Sequence, residues 1–120
     1  MHFEKLVPNV YYKDIQDGLE MFINCLEFRI GHNELTAKEP FCVLEKGDLQ
    51  IYLFEHKELA KEHNPEFRLV TKNIEKVFEK VSASHPDYLH PNLSKVTLRP
   101  WGAKEFALRD QQVCLIFQQW

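Results

Sequence analysis

The side chains best equipped for chemistry in this chain are six histidines and three cysteines. The histidines are His2, His32, His56, His63, His85 and His90. No two of them are three or four residues apart, the spacing of His-Glu-x-x-His by which one helical face presents two imidazoles to a zinc or iron ion. His56 and His63 fall in a polar stretch, and His85 and His90 lie on either side of Pro86 in a segment of loop composition. All six read as surface histidines. The cysteines are Cys25, Cys42 and Cys114; each sits inside an apolar run, their number is odd, and no Cys-x-x-Cys occurs. Buried free thiols in a reducing compartment are therefore expected. Nothing near them in sequence would lower a thiol pKa, and no serine or cysteine has a credible neighbouring base, so the argument for nucleophilic catalysis is weak.

The elements that must position any site follow from periodicity. Lys5 to Lys13 reads as a first strand, with Val7, Val10 and Tyr12 as its apolar material and Pro8 confined to a strand start or an edge. Asp14 is a helix N-cap, with Asp17 at the capping-box position. Ile15, Leu19, Phe22, Ile23 and Leu26 follow at helical spacing, and Gly18 among them weakens the helix slightly. Strand-like runs come next at 27–32, 41–45 and 48–54, the last two joined by a turn at Lys46-Gly47-Asp48. Residues 56–65 are polar, end in Asn64-Pro65 and read as a linker. The second half repeats the plan: a strand at 67–72, a helix capped by Asn73 and carrying Ile74, Val77, Phe78 and Val81, a loop over 82–92, and strands at 94–101, 104–110 and 113–119. Strand, helix, three strands, twice over, is an internal repeat and predicts an α+β fold of two βαβββ modules, about 1–55 and about 66–120, within one domain.

Length and charge set outer limits. A chain of 120 residues can bury a core of its own, and a formal charge of −3 with no Lys/Arg block gives no reason to expect nucleic acid. Glu34, Glu39, Glu45, Asp48, Glu55 and Glu58 read as a solvated acidic face. No apolar stretch reaches membrane-spanning length, and a cytoplasmic protein with no membrane partner is expected.

The most specific wording in the chain is Pro100-Trp101-Gly102-Ala103-Lys104-Glu105-Phe106-Ala107-Leu108-Arg109-Asp110. By alternation Phe106 and Leu108 face one way and Glu105, Ala107 and Arg109 the other. Together with Val7-Pro8, the helix from Asp14 to Phe28 and the run from Gly47 to Phe54, this stretch resembles the vicinal-oxygen-chelate superfamily, and within it the bleomycin-resistance proteins. The resemblance implies two βαβββ modules side by side, each curling its sheet around a cavity. It implies metal ligands at the start of each module's first strand and on a last strand, positions held here by Val7, Glu66 and Ile116 or Phe117. Only Glu66 can ligate, so no metal, no cofactor and no catalytic residue are expected.

What the resemblance then implies is a metal-free binder that sequesters a planar or glycopeptide antibiotic in an aromatic cleft at the interface of a homodimer, formed by exchange of the N-terminal strand. Phe41 and Trp101 match the positions that stack on the drug, and Tyr52, Phe54 and Phe106 supply further aromatic wall. The alternative is a metal-dependent glyoxalase- or dioxygenase-like enzyme with a non-standard ligand set, for instance Glu66 with loop histidines. A third is an interaction module whose cleft is filled by its own side chains. Two departures bear on the site. Glu27 stands where relatives carry a glycine, so either it is strained or the turn differs. Asp110-Gln111-Gln112-Val113 also lacks the Pro and Gly of the usual last turn, and Gln-Gln is poor chemistry for a tight one.

Overall fold

The computed structural model describes residues 1–120, which divide into two compact units, Met1–His63 and Asn64–Trp120. Each carries one four-stranded sheet. No helix is long and apolar enough to cross a membrane.

The first unit runs β1 (Asn9–Tyr12), α1 (Ile15–Leu19) continuing as a π-helix (Glu20–Cys25), β2 (Arg29–Glu34), β3 (Phe41–Lys46), β4 (Leu49–Glu55) and α2 (Lys57–Glu62). The strand order is β1-β4-β3-β2, with β1 parallel to β4 and the other pairs antiparallel. The first strand is shorter than expected and begins immediately after Pro8, which has no N–H for the ladder but whose carbonyl accepts from Tyr52 N–H at 3.0 Å. Register fixes two faces. Val10, Tyr12, Cys42, Leu44, Ile51 and Leu53 share one, all buried beneath the helix. Asn9, Tyr11, His32, Phe41, Val43, Tyr52 and Phe54 share the other.

The helix starts as its sequence dictates. Asp14 accepts from Gln16 N–H at 2.9 Å, and Ile15 N–H donates to Glu55 Oε2 at 3.0 Å. Its second half is not α-helical as expected: Leu26 N–H reaches back five residues to Met21 O at 3.1 Å. The wider turn rotates the apolar stripe, so Met21 and Cys25 are buried together with Ile15, Phe22 and Leu26. Glu27 then takes the left-handed conformation, φ 64°, that favours glycine. Its N–H bonds Ile23 O at 3.0 Å, and Phe28 N–H bonds Phe22 O at 2.8 Å. Glu27→Gly is therefore expected to stabilise the protein by about 0.5–1 kcal/mol, strain relief exceeding the entropy that glycine adds to the unfolded chain. Urea denaturation checks this, and an unchanged midpoint would contradict the strain argument. The expected turn between β3 and β4 is present as a two-residue loop with Gly47, φ 58°, in its first position. The segment read as a linker is not unstructured, since it contains α2.

The second unit runs β5 (Glu66–Val70), α3 (Ile74–Ser84), a 3₁₀ turn (Pro86–Tyr88), β6 (Thr97–Leu98), β7 (Lys104–Arg109) and β8 (Cys114–Gln119). Its order, β5-β8-β7-β6, repeats that of the first unit, again with the outer first strand parallel to the last. Asn73 caps α3 by accepting from Lys76 N–H at 3.3 Å, and Gln119 Oε1 takes the Ile74 N–H at 2.7 Å. Ile74, Phe78 and Val81 of α3 lie over the face carrying Phe106, Leu108, Leu115 and Phe117. The strand expected at 94–101 shrinks to Thr97–Leu98. The altered last turn is stabilised by a side chain: Asp110 Oδ1 accepts from Gln112 N–H at 2.7 Å and Val113 N–H at 2.8 Å, which relieves Gln111-Gln112 of any special backbone role.

Candidate functional site

The face of the first sheet turned away from the helix carries a row of rings, one from each strand. Tyr11 on β1 lies 5.5 Å from Phe54 on β4, with 27° between planes; Phe54 lies 5.6 Å from Phe41 on β3, at 23°; Phe41 lies 5.8 Å from His32 on β2, at 39°. The first two pairs are stacked with an offset, and the third is tilted. Tyr52, 6.2 Å from Phe54 and tilted by 41°, is turned out of the row and is 37% exposed. Tyr11 also meets His63 at 5.6 Å and His56 at 6.4 Å. Those two histidines cap α2 at opposite ends: His56 Nδ1 accepts from Leu59 N–H at 3.1 Å, and His63 Nδ1 lies 2.9 Å from Leu59 O. On this face His32 Nε2 lies 3.0 Å from Glu34, and Arg29 is paired with Glu45 at 3.9 Å.

Three of the residues expected from sequence, Phe41, Tyr52 and Phe54, are thus together. Tyr11, His32, His56 and His63 were not among them. The signal for Tyr11 was the alternation of Asn9 and Tyr11 against Val10 and Tyr12, but its place beside Phe54 depends on a parallel β1–β4 pairing that sequence does not display.

Trp101 belongs to the second unit. Pro100-Trp101-Gly102 is a three-residue hairpin loop: Gly102 N–H bonds Arg99 O at 2.9 Å, Arg99 N–H bonds Ala103 O at 2.8 Å, and Gly102 has φ 99°. Pro at the second position and a left-handed glycine at the end are what such a loop demands. Trp101 is 53% exposed at its tip. Phe106 is placed elsewhere. It is fully buried on the α3 side, stacked on Phe117 at 4.7 Å and met edge-on by Phe78 at 5.2 Å. It is a core residue and lines no open surface.

Burial pushes the thiols of Cys25 and Cys42 up to about 11, the charge of Glu20 adding to the effect at Cys25; burial likewise raises Cys114. A cavity of about 220 Å³ in the second unit is bordered by Glu66, His90, Arg109, Asp110, Gln112 and Cys114. Drug-sized ligands usually occupy about 300–1,000 Å³, so this hollow is small for one.

No family model matches the chain, and no curated protein does. Solved structures do. A bleomycin-binding protein complexed with bleomycin is 22% identical, with a TM-score of 0.70 and 98% of each chain covered. The bleomycin-binding protein of Streptomyces verticillus complexed with copper(II)-bleomycin is 16% identical, with a TM-score of 0.73 over 100% of this chain and 98% of that one. A member of the glyoxalase/bleomycin resistance protein/dioxygenase superfamily from Sphaerobacter thermophilus is 13% identical, with a TM-score of 0.73 and 98% of each chain covered. The fold is that of the glyoxalase/bleomycin resistance protein/dioxygenase superfamily. The α+β architecture expected from the duplicated βαβββ order is the one found.

Within this superfamily fold the expected ligand positions do not suit a metal. Val7 and Ile116 or Phe117 have no donor atom. Glu66 at the start of β5 is half-exposed and points its carboxylate at Arg68, 3.4 Å away. No group of three or more His, Cys, Asp or Glu side chains is placed so that it could hold a metal ion.

Proposed function

We propose that this chain is a metal-free small-molecule-binding protein of the bleomycin-resistance type, which sequesters a flat or glycopeptide antibiotic without transforming it. The observation that carries this reading is the four-ring row Tyr11–Phe54–Phe41–His32, with Tyr52 turned out beside it: a partly exposed aromatic surface on the sheet face opposite α1, met by the caps of α2 only at its Tyr11 end. A monomer that keeps so many rings accessible has a use for them. In the second unit, Trp101, exposed at a hairpin tip, is a stacking group in its own right. The protein acts in the cytoplasm as a homodimer, its N-terminal strand exchanged about Pro8. The exposure of Met1, Phe3 and Leu6 supports this, since an apolar arm in water gains by docking on a second copy.

A fluorescence titration with metal-free bleomycin tests the reading. Saturable quenching at micromolar drug or below, abolished in Trp101→Ala while the protein stays folded at a cost of about 1–3 kcal/mol for the hydrogen bond that Glu105 loses, is the expected outcome. No response up to high micromolar drug removes bleomycin as the ligand. Stoichiometric zinc, nickel, manganese or iron in protein purified without chelator would overturn the metal-free reading, and sedimentation as a monomer at micromolar concentration would overturn the dimer.

A further inference from the structure

Glu105 is a charge in a place where the fold does not need one. It sits in mid-strand on β7, 3% exposed, on the sheet face away from α3. Burying a carboxylate is costly unless it is paired and hydrogen-bonded, and a glutamine or methionine there would be cheaper. Its partners explain its presence. Oε2 accepts two hydrogen bonds, from Trp101 Nε1–H at 3.0 Å and from Gln118 Nε2–H at 2.6 Å. Oε1 lies 3.7 Å from Arg99 Nε. Arg99 in turn stands over the indole, its guanidinium carbon 4.7 Å from the ring centroid, while its Nε is sealed from water without a hydrogen bond of its own. Every one of these contacts bears on the same ring.

We infer that Glu105 is the positioning residue of Trp101: a buried carboxylate that fixes the plane of an exposed indole and, through Arg99, covers one of its faces, so that a single face is presented to a flat ligand. The backbone of Trp101 is already set by the Pro100–Gly102 loop. Glu105 removes the remaining freedom, rotation of the ring about its two side-chain torsions. A platform fixed in advance loses little entropy when a ligand stacks on it. Gln118 anchors the carboxylate from the neighbouring strand β8, to which Glu105 is directly opposed, so the orientation of the indole is set by the sheet rather than by the loop alone. The effect on ligand rests on the reading of Trp101 as a binding group; the effect on the indole does not.

The test separates the two. In a Trp120→Phe background, where Trp101 is the sole tryptophan, the indole N–H resonance and the fluorescence anisotropy of Trp101 are followed in Glu105→Gln and Glu105→Ala. The parent is expected to show a downfield, carboxylate-bonded indole proton and a rigid ring. Glu105→Gln keeps an acceptor: the proton should move upfield and the ring stay rigid. Glu105→Ala should release the ring to solvent-like shift and anisotropy, with a folded far-UV spectrum, and weaken binding of metal-free bleomycin by about two- to tenfold. If Glu105→Ala does not fold, Arg99→Met and Gln118→Ala loosen the same ring from either side and carry the same readout. A Trp101 that is mobile in the parent, or equally rigid in the alanine variant, overturns the positioning role. A rigid parent ring released by Glu105→Ala, in a protein that never binds the drug, upholds the positioning role and defeats only the proposed ligand.

Discussion

Phe106→Ala is expected to destabilise the protein by about 3–5 kcal/mol. Phe106 is completely buried; its ring overlaps Phe117 at 4.7 Å with planes 7° apart, and Phe78 of α3 meets it edge-on at 5.2 Å, 83° between planes. Truncation removes the transfer term of the ring, both aromatic pairs and the packing under α3, and leaves a void that neighbours on a hydrogen-bonded sheet cannot close. Chemical denaturation measures it. A loss below about 1 kcal/mol would mean that the ring faces open space after all. The contrast with Trp101→Ala is diagnostic: one substitution should cost chiefly stability, the other chiefly binding.

Phe106 also shows where sequence reasoning stops. Alternation along β7 puts Phe106 with Leu108 and Glu105 with Ala107 and Arg109, and the register bears out that pairing. What alternation cannot say is which set faces the helix. Grouping Phe106 with the exposed aromatics took chemical type as a guide to exposure, whereas its strand-mate Leu108 is the better guide: both are fully buried. The two caps, Asp14 and Asn73, and the Gly47 turn were legible because each is a local device, a side chain or a φ angle acting within four residues. The π-helix was not, because nothing in Glu20–Cys25 distinguishes a five-back from a four-back hydrogen bond. The row Tyr11–Phe54–Phe41–His32 was legible only in pieces. Each ring alternates correctly along its own strand, but the order in which strands lie side by side is a property of the whole unit. The network on Glu105 was hidden for the same reason: Gln118 is its neighbour only across the β7–β8 pair.

Gly18 is the position where local and tertiary terms pull in opposite directions. On helix propensity alone, Gly18→Ala should stabilise by about 0.5–1 kcal/mol. The fold reverses the sign. A Cβ at this position would stand 2.8 Å from two carbons of the Tyr12 ring and 2.9 Å from a methyl carbon of Leu53. Neither side chain has room to withdraw, since Tyr12 is buried and Leu53 fully so. The helix axis would have to lift from β1 and β4, and α1 is too short to bend locally. Overpacking of this kind costs about 1–3 kcal/mol, so the net expectation is a loss of about 1–2 kcal/mol for alanine and more for valine, read as a lowered denaturation midpoint at unchanged slope. Gain of stability in Gly18→Ala would show that helix and sheet are further apart than the glycine implies. The consequence extends beyond stability. Tyr12 and Leu53 alternate with Tyr11, Tyr52 and Phe54 on the same two strands. A side chain that lifts α1 must disturb the strands whose far face bears the aromatic row, so binding should weaken along with the fold, although Gly18 itself lies on the opposite side of the sheet.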